Sequence, residues 1–366
     1  MIEKSTLFIE VKGTTIAMPS AALKRFLSGL IRGELTTFDL TLALIRRTWI
    51  ELQSRYNFYV GKFRFIDRLK GYHLTVIVIS GKYPSIWNAT LERLYAYSGK
   101  ADVIIVNPDG LHGRTLEKLC EAYNFSYFEG STKNFEAAQN YVCTFIIDSP
   151  LVLKMDDDVF LTEKTIPSLL SAYIRLKSVG HDIGFLAPIL NVNNVTYFHF
   201  LKTLNLDDEY AQRFEKPIFT RHWTRQRIWW DPAAAQWVWE RSLPLNTVAD
   251  VIEERNRGKH DLIPVRFSIS CILFERRIIA SSRGLLAYNR ATGRYEGRGD
   301  SIGRIASPMI PIGDEAFMNY YTNDRMCGRF IALDSFAGHL CYGPQATTML
   351  RWFENNKARL LEDVRR

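Results

Sequence analysis

Residues Leu151–Leu161 read LVLKMDDDVFL, three consecutive aspartates set between two apolar runs. Adjacent carboxylates repel one another, so a fold gathers them only where something compensates. At the end of a buried strand a hard divalent cation does this, because it takes oxygen ligands. Such a site suits an enzyme whose substrate brings phosphates to a metal. An Asp-rich turn that ends a strand and caps the next helix is the plainer account. Val159 and Phe160 follow directly, however, so the acids lie between apolar patches and not in an open polar loop.

The rest of the chain offers that strand a large domain to sit in. It has 366 residues, 47% of them hydrophobic, enough for one large core or two smaller ones. A formal net charge of +8 favours polyanionic partners such as nucleic acid, an anionic membrane surface or phosphorylated substrates. The five cysteines contain no CxxC pair, which suggests neither a disulfide framework nor a zinc site and fits a reducing compartment. Met1–Ala22 lacks the apolar centre of a signal peptide, and no apolar run approaches the ~20 residues of a membrane span. A cytoplasmic protein with no transmembrane segment is expected.

Residues 1–70 read as a basic, mainly helical extension. Leu7–Val11 is a candidate strand, and Pro19–Arg32 and Phe38–Arg55 are candidate helices; Leu42, Ile45, Trp49 and Leu52 recur at helical spacing in the second. From His73 strands and helices alternate. Leu74–Ser80 (LTVIVIS) is the continuous β-branched run of a strand buried on both faces. Helix Ile86–Ser98, strand Ala101–Val106, helix Thr115–Tyr123, strand Ser126–Glu129, helix Phe135–Asp148, strand Leu151–Met155 and helix Thr162–Ser178 follow. This order predicts an α/β fold, a Rossmann-type mixed and mainly parallel sheet with helices on both faces. Ligands of such sheets bind beyond the carboxyl ends of the strands. Ser80, Asn107, Asp109 and Asp156–Asp158 all fall there. Gly-rich phosphate loops of the GxxxxGK[ST] or GxGxxG type are missing, so phosphate handling falls to metal and basic side chains.

With these motifs in place, the chain resembles the GT-A-type glycosyltransferases, which use nucleotide-diphosphate sugars. KMDDDVF is similar to the DxD segment of the β-1,3-galactosyltransferase and Fringe-like group. The broader likeness covers about Leu74–Gly343 and implies a GT-A-like domain over 71–345, with a nucleotide-sugar half at 71–190 and an acceptor half at 191–345. Residues 346–366 follow as a C-terminal helix. The resemblance implies that Asp156 and Asp158 hold Mn²⁺ or Mg²⁺ against the donor diphosphate, with Asp157 near the ribose or sharing the metal. It implies a nucleotide contact at Ser80 and, from the NPDG turn, at Asn107 and Asp109, which an ordinary Pro-Asp-Gly turn explains equally. Lys133 and Asn134, just before a helix, are further candidates for the nucleotide. The donor expected first is a UDP-sugar.

Downstream, PIGDEAFMNYY (Pro311–Tyr321) places Asp314 and Glu315 after a glycine at a predicted helix start, where the dipole favours ionised carboxylates. Capping alone accounts for acids there. In inverting members of the family such a residue deprotonates the acceptor hydroxyl, and a closed site that raises its pKa suits that task. His339, in FAGHLCYG, is the implied third metal ligand. Arg221–Arg241 holds five of the eight tryptophans, interleaved with arginines. Trp faces stack on sugars or bases, which makes Arg225, Arg227, Trp229 and Trp230 acceptor candidates unless those rings fill a core. Arg290–Arg304, rich in Gly and Arg, reads as a loop suited to closing over donor phosphates.

The expected function is metal-dependent transfer of a sugar to an acceptor hydroxyl, by inversion. The acceptor is a glycan or lipid-linked saccharide, or else hydroxymethylated bases in DNA of the phage type. The rival classes are a nucleotidyltransferase, which would release pyrophosphate, and a non-catalytic nucleic-acid- or glycan-binding protein, which would not need acids at 156, 158, 314 and 315.

Overall fold

The structure is a computed structural model that describes residues 6–11, 14–19, 58–219, 226–280, 314–324 and 326–364. The chain divides into two units, Met1–Arg55 and Tyr56–Arg366. In the first, strands β1 (Thr6–Val11) and β2 (Thr14–Pro19) pair antiparallel, Thr6 opposite Pro19 and Val11 opposite Thr14. β1 matches the predicted strand. Pro19, read as the start of a helix, instead ends β2, whose Thr-Thr-Ile run is β-branched. The predicted helix Phe38–Arg55 lies outside the described residues, as do most of Pro19–Arg32 and the loop Arg290–Arg304.

The second unit is α/β and built on one mixed sheet. Its strands are β3 (Arg64–Ile66), β4 (Leu74–Ile79), β5 (Asp102–Asn107), β6 (Ser126–Glu129), β7 (Leu151–Asp156), β8 (Val159–Leu161), β9 (Ile183–Leu190), β10 (His260–Leu262), β11 (Cys271–Glu275) and β12 (Gly328–His339). They run in the order β10-β12-β9-β11-β7-β4-β5-β6-β3, with β8 added to β12. The central β7-β4-β5-β6 is parallel, as the alternation predicts. β11 runs antiparallel to both β7 and β9. Arg64–Ile66, grouped with the extension in the sequence reading, pairs with β6 and becomes an edge strand. Three residues are too few to show a period.

Alternate residues of the central strands sort into two cores. Ile77, Ile79, Ile104 and Val106 point to one face, and Val76, Val78, Val103 and Ile105 to the other, the period of two expected for strands buried on both sides. The second face is covered by α1 (Trp87–Tyr97), α2 (Gly113–Ala122) and α4 (Thr165–Ser178) through Leu91, Leu116 and Leu169. The first is covered by α3 (Phe135–Tyr141), which continues as a single π-helical turn over Val142–Ile146. Further along come α5 (Thr196–Thr203), α6 (Asp207–Arg213), α7 (Arg227–Trp230), α8 (Pro232–Glu240) and α9 (Leu245–Asn256). α10 (Arg277–Ala280), α11 (Asp314–Asp324) and α12 (Ala346–Leu361) complete the unit. Among the described residues no helix is long and apolar enough to cross a membrane.

Candidate active site

The parallel register brings the ends of β4 and β7 level, Ile79 opposite Asp156. Only Asp157 and Asp158 separate β7 from β8. β8 then turns onto the end of β12, pairing Val159 with His339. That register delivers the imidazole to the aspartates. β12 reaches across because its pairing with β9 shifts between Ala332 and Phe336, an irregularity that bends the strand. The result is a cleft of about 430 Å³ whose walls include Asp156, Asp158, His339, Asp314, Glu315 and Trp229. The two acidic motifs and the histidine, far apart in sequence, face one space.

The three aspartates have different surroundings. Asp157 is buried, and its Oδ2 accepts from the amides of Gly81 (3.1 Å) and Lys82 (3.3 Å) and from Trp87 Nε1 (2.8 Å). Burial, reinforced by the charge of Asp158, pushes its carboxyl up to about 6. These bonds tie the loop after β4 to the triplet. Asp158 is buried too; its Oδ2 accepts from the Cys341 amide at 3.1 Å and lies 3.5 Å from His339 Nε2. The other ring nitrogen, Nδ1, donates to the Val192 carbonyl at 2.6 Å, so Nε2 is turned toward the acids. The His339 amide donates to Asn191 Oδ1 at 2.8 Å and Trp239 Nε1 donates to the His339 carbonyl at 3.1 Å. Burial opposes a charged His339, but the Asp158 carboxylate outweighs it and raises the imidazole pKa above its ordinary value. Burial likewise opposes a charged Asp158, and His339 with the Cys341 amide holds its pKa below the usual range.

Among the described residues no three acid, histidine or cysteine side chains stand close enough together to hold a metal ion by themselves. Divalent ions at phosphate sites use one or two carboxylates and complete their shell with water and phosphate oxygens. Asp158 and His339 fit that partial set, since His339 Nε2 is already aimed by the bond from Nδ1 to Val192. Asp156 has one oxygen, Oδ1, engaged by Lys154 at 2.6 Å.

Across the cleft, Asp314 opens α11 and its Oδ1 accepts from the Glu315 amide at 2.7 Å, while Oδ2 accepts from Gln139 Nε2 at 3.1 Å. Glu315 Oε1 accepts from Arg266 Nε at 2.7 Å. Burial raises the Glu315 carboxyl above the usual carboxylate range against the pull of Arg266.

The nucleotide candidates are placed differently. Ser80 is buried and its hydroxyl donates to the Val106 carbonyl at 3.0 Å, fastening β4 to β5. Asn107 Nδ2 donates to the Leu111 carbonyl and the Tyr127 hydroxyl, both at 3.0 Å. Asp109 Oδ1 accepts from the Leu111 amide at 3.0 Å, an Asx turn. Asn134 caps α3, its Oδ1 accepting from the Ala137 amide at 2.9 Å. Lys133 is exposed. The cleft walls include Lys82, Tyr83 and Phe135 but none of these five. Lys82 and Lys154 are the residues the sequence reading passed over. Position 154 had a signal, for in a strand it shares a face with Asp156.

Of the tryptophan segment, Trp237 and Trp239 are core. Trp229 lines the cleft, pressed on Gly343, where a Cβ would lie 2.5 Å from the Trp229 carbonyl and the backbone has φ +73°. Trp230 is 45% exposed, with the Arg227 guanidinium 5.4 Å from its ring centre. Arg225 lies outside the described residues.

No protein-family model matches the chain, and no curated protein matches it either. Among solved structures, the mannosyltransferase PcManGT from Pyrobaculum calidifontis, in complex with GDP-Man and Mn2+, is similar at 16% identity and a TM-score of 0.27. The match covers 42% of this chain and 46% of that one. A likeness so partial carries no weight for the site, whose chemistry is read from its own side chains.

Proposed function

We propose that this protein is a glycosyltransferase that moves a sugar from a nucleotide-diphosphate donor to an acceptor hydroxyl with inversion. What supports the reading is the single cleft in which Asp156, Asp158 and His339 stand opposite Asp314 and Glu315. A charge-stabilising end and a proton-accepting end are the two things a single displacement needs.

The donor diphosphate lies against Asp158 and His339, the residues that would hold a divalent cation, Mn²⁺ or Mg²⁺, at that end of the cleft. When bound it neutralises charge on the departing diphosphate as a Lewis acid. Lys82, on the rim beside Asp157, adds a positive charge for phosphate. The nucleoside is assigned to the rim near Gly81 and Asp109, and Ser80, Asn107 and Asn134 support that rim from behind, with Lys133 at its edge. Trp229 offers a ring face to a sugar. The acceptor enters past Arg227 and Trp230. Its hydroxyl oxygen attacks the anomeric carbon while the bond from that carbon to the phosphate oxygen breaks. The hydroxyl proton passes to a carboxylate, Asp314 or Glu315. Glu315, with its pKa raised by burial, is the better proton acceptor near neutral pH; the bond from Arg266 Nε orients its carboxylate, and Asp314 accepts from its backbone amide. The donor is a nucleoside-diphosphate sugar, UDP first, and the acceptor a saccharide or a hydroxymethylated base in DNA.

The test is a donor screen. Protein is incubated with UDP-, GDP-, TDP- and CMP-sugars in Mn²⁺, and donor hydrolysis is followed for the wild type and Asp158→Asn. One donor should turn over in a metal-dependent way, slowed by about a hundredfold or more in the variant. Failure of every donor to bind, with or without Mn²⁺, would overturn the reading.

A further inference from the structure

One charged group in the cleft has no part in the mechanism above. Lys154 lies in β7 and is only 3% exposed. Lysine is almost never this buried unless it is paired. Its Nζ donates to Asp156 Oδ1 at 2.6 Å and to the Ile269 carbonyl at 3.0 Å, and stands 3.8 Å from Asp314 Oδ2. Burial opposes its charge, yet the carboxylates of Asp156 and Asp314 outweigh burial and keep the ammonium protonated.

The position matters more than the pairing. The ammonium bridges an acid of the triplet on β7 and the first acid of α11, so one cation serves both ends of the cleft. Without it, Asp156 and Asp314 would face each other in a half-buried space that also holds Asp158 and Glu315. Repulsion among them would push these walls apart or draw in a cation from solution. With it, Asp156 has one oxygen left for any other partner.

We propose that Lys154 is a built-in counter-cation: it holds Asp156 and Asp314 together when no metal is present, and it weakens divalent-cation binding until donor phosphates add their own oxygens. The second half of this role rests on the donor reading proposed above; the first half does not. Lys154 is thus a positioning residue that acts through two carboxylates.

The experiment compares Lys154→Met with the wild type, using Mn²⁺ alone as the probe. Methionine keeps much of the length and removes the charge. Without Mn²⁺ the variant should unfold at a lower temperature than the wild type, and Mn²⁺ should restore most of that loss while moving the wild type little. Calorimetric titration without donor should show Mn²⁺ binding the variant on the order of tenfold more tightly. Lys154→Arg, which keeps the charge, should retain the weak affinity of the wild type. A lysine that merely fills space predicts no rescue by metal. An unrescued melting temperature, or an Mn²⁺ affinity unchanged or lower in Lys154→Met, would overturn the proposal. If Lys154→Met does not fold without metal, Lys154→Met combined with Asp156→Asn must fold, because the excess negative charge is gone; its failure would also overturn the proposal. None of these measurements involves a donor, so a blank donor screen would defeat the glycosyltransferase reading and leave them standing.

Discussion

At the scale of single residues, three neighbouring aspartates are held in three ways. Asp156 leans on a lysine, Asp158 on a histidine and a backbone amide, and Asp157 on three N–H donors in a buried corner. The Asp157 carboxyl, raised to about 6, binds its proton more tightly in the folded protein than in the unfolded chain, where the value is near about 4. On this group's account stability is greatest at low pH and falls as pH rises from about 4 to about 6. Asp157→Asn keeps an oxygen acceptor for the three donors and removes the buried charge. Its urea midpoint at pH 8 should match or exceed that of the wild type, and the slope of stability between those pH values should flatten. A variant clearly less stable at pH 8 would mean that the ionised form is what the corner requires. Triplet, GDE pair and histidine, which line one cleft, stand out in the sequence as acids and an imidazole in apolar company. The bonds that Ser80 and Asn134 make, to β5 and to the first turn of α3, were not legible there, since no local pattern names such partners.

At the scale of elements, the parallel centre was readable because strands buried on both faces are continuous apolar runs, and β4 to β7 follow the predicted alternation. β11 and β12 were harder. One enters antiparallel and the other pairs first with β9 and β10 and then with β8, and no local pattern announces such partners. One side chain binds several of these pieces. Arg93 on α1 is fully buried; its Nε donates to the Leu161 carbonyl at the end of β8 (2.7 Å), and Nη1 donates to the Leu360 carbonyl and pairs with Asp363, each at 2.6 Å. It therefore anchors the C-terminal helix to the strand that follows the triplet. Arg93→Met would remove these bonds and leave the Asn246 amide, 2.7 Å from Oδ2, as the partner Asp363 keeps, at a cost of about 3 kcal/mol. Urea denaturation checks this, and a loss under about 1 kcal/mol would show the anchor to be dispensable.

At the scale of the whole molecule, the net charge of +8 makes ionic strength the variable that separates the two acceptors. Binding of duplex DNA should weaken steeply between about 50 and 200 mM salt, because bound phosphates release counterions. A neutral saccharide acceptor should show a KM that hardly moves over the same range. Fluorescence anisotropy with a labelled duplex and initial rates with a saccharide series measure the two directly.

The bond from the Cys341 amide to Asp158 spans 183 residues, and this has a consequence for how the protein comes to exist. A ribosome delivers the aspartates long before it delivers β12. Until then Asp158 ends a partial sheet with neither the imidazole nor the Cys341 amide beside it. Closure of the site is consequently among the last events of synthesis. Chains cut short anywhere before β12 carry the acidic motif in full but lack both partners of Asp158.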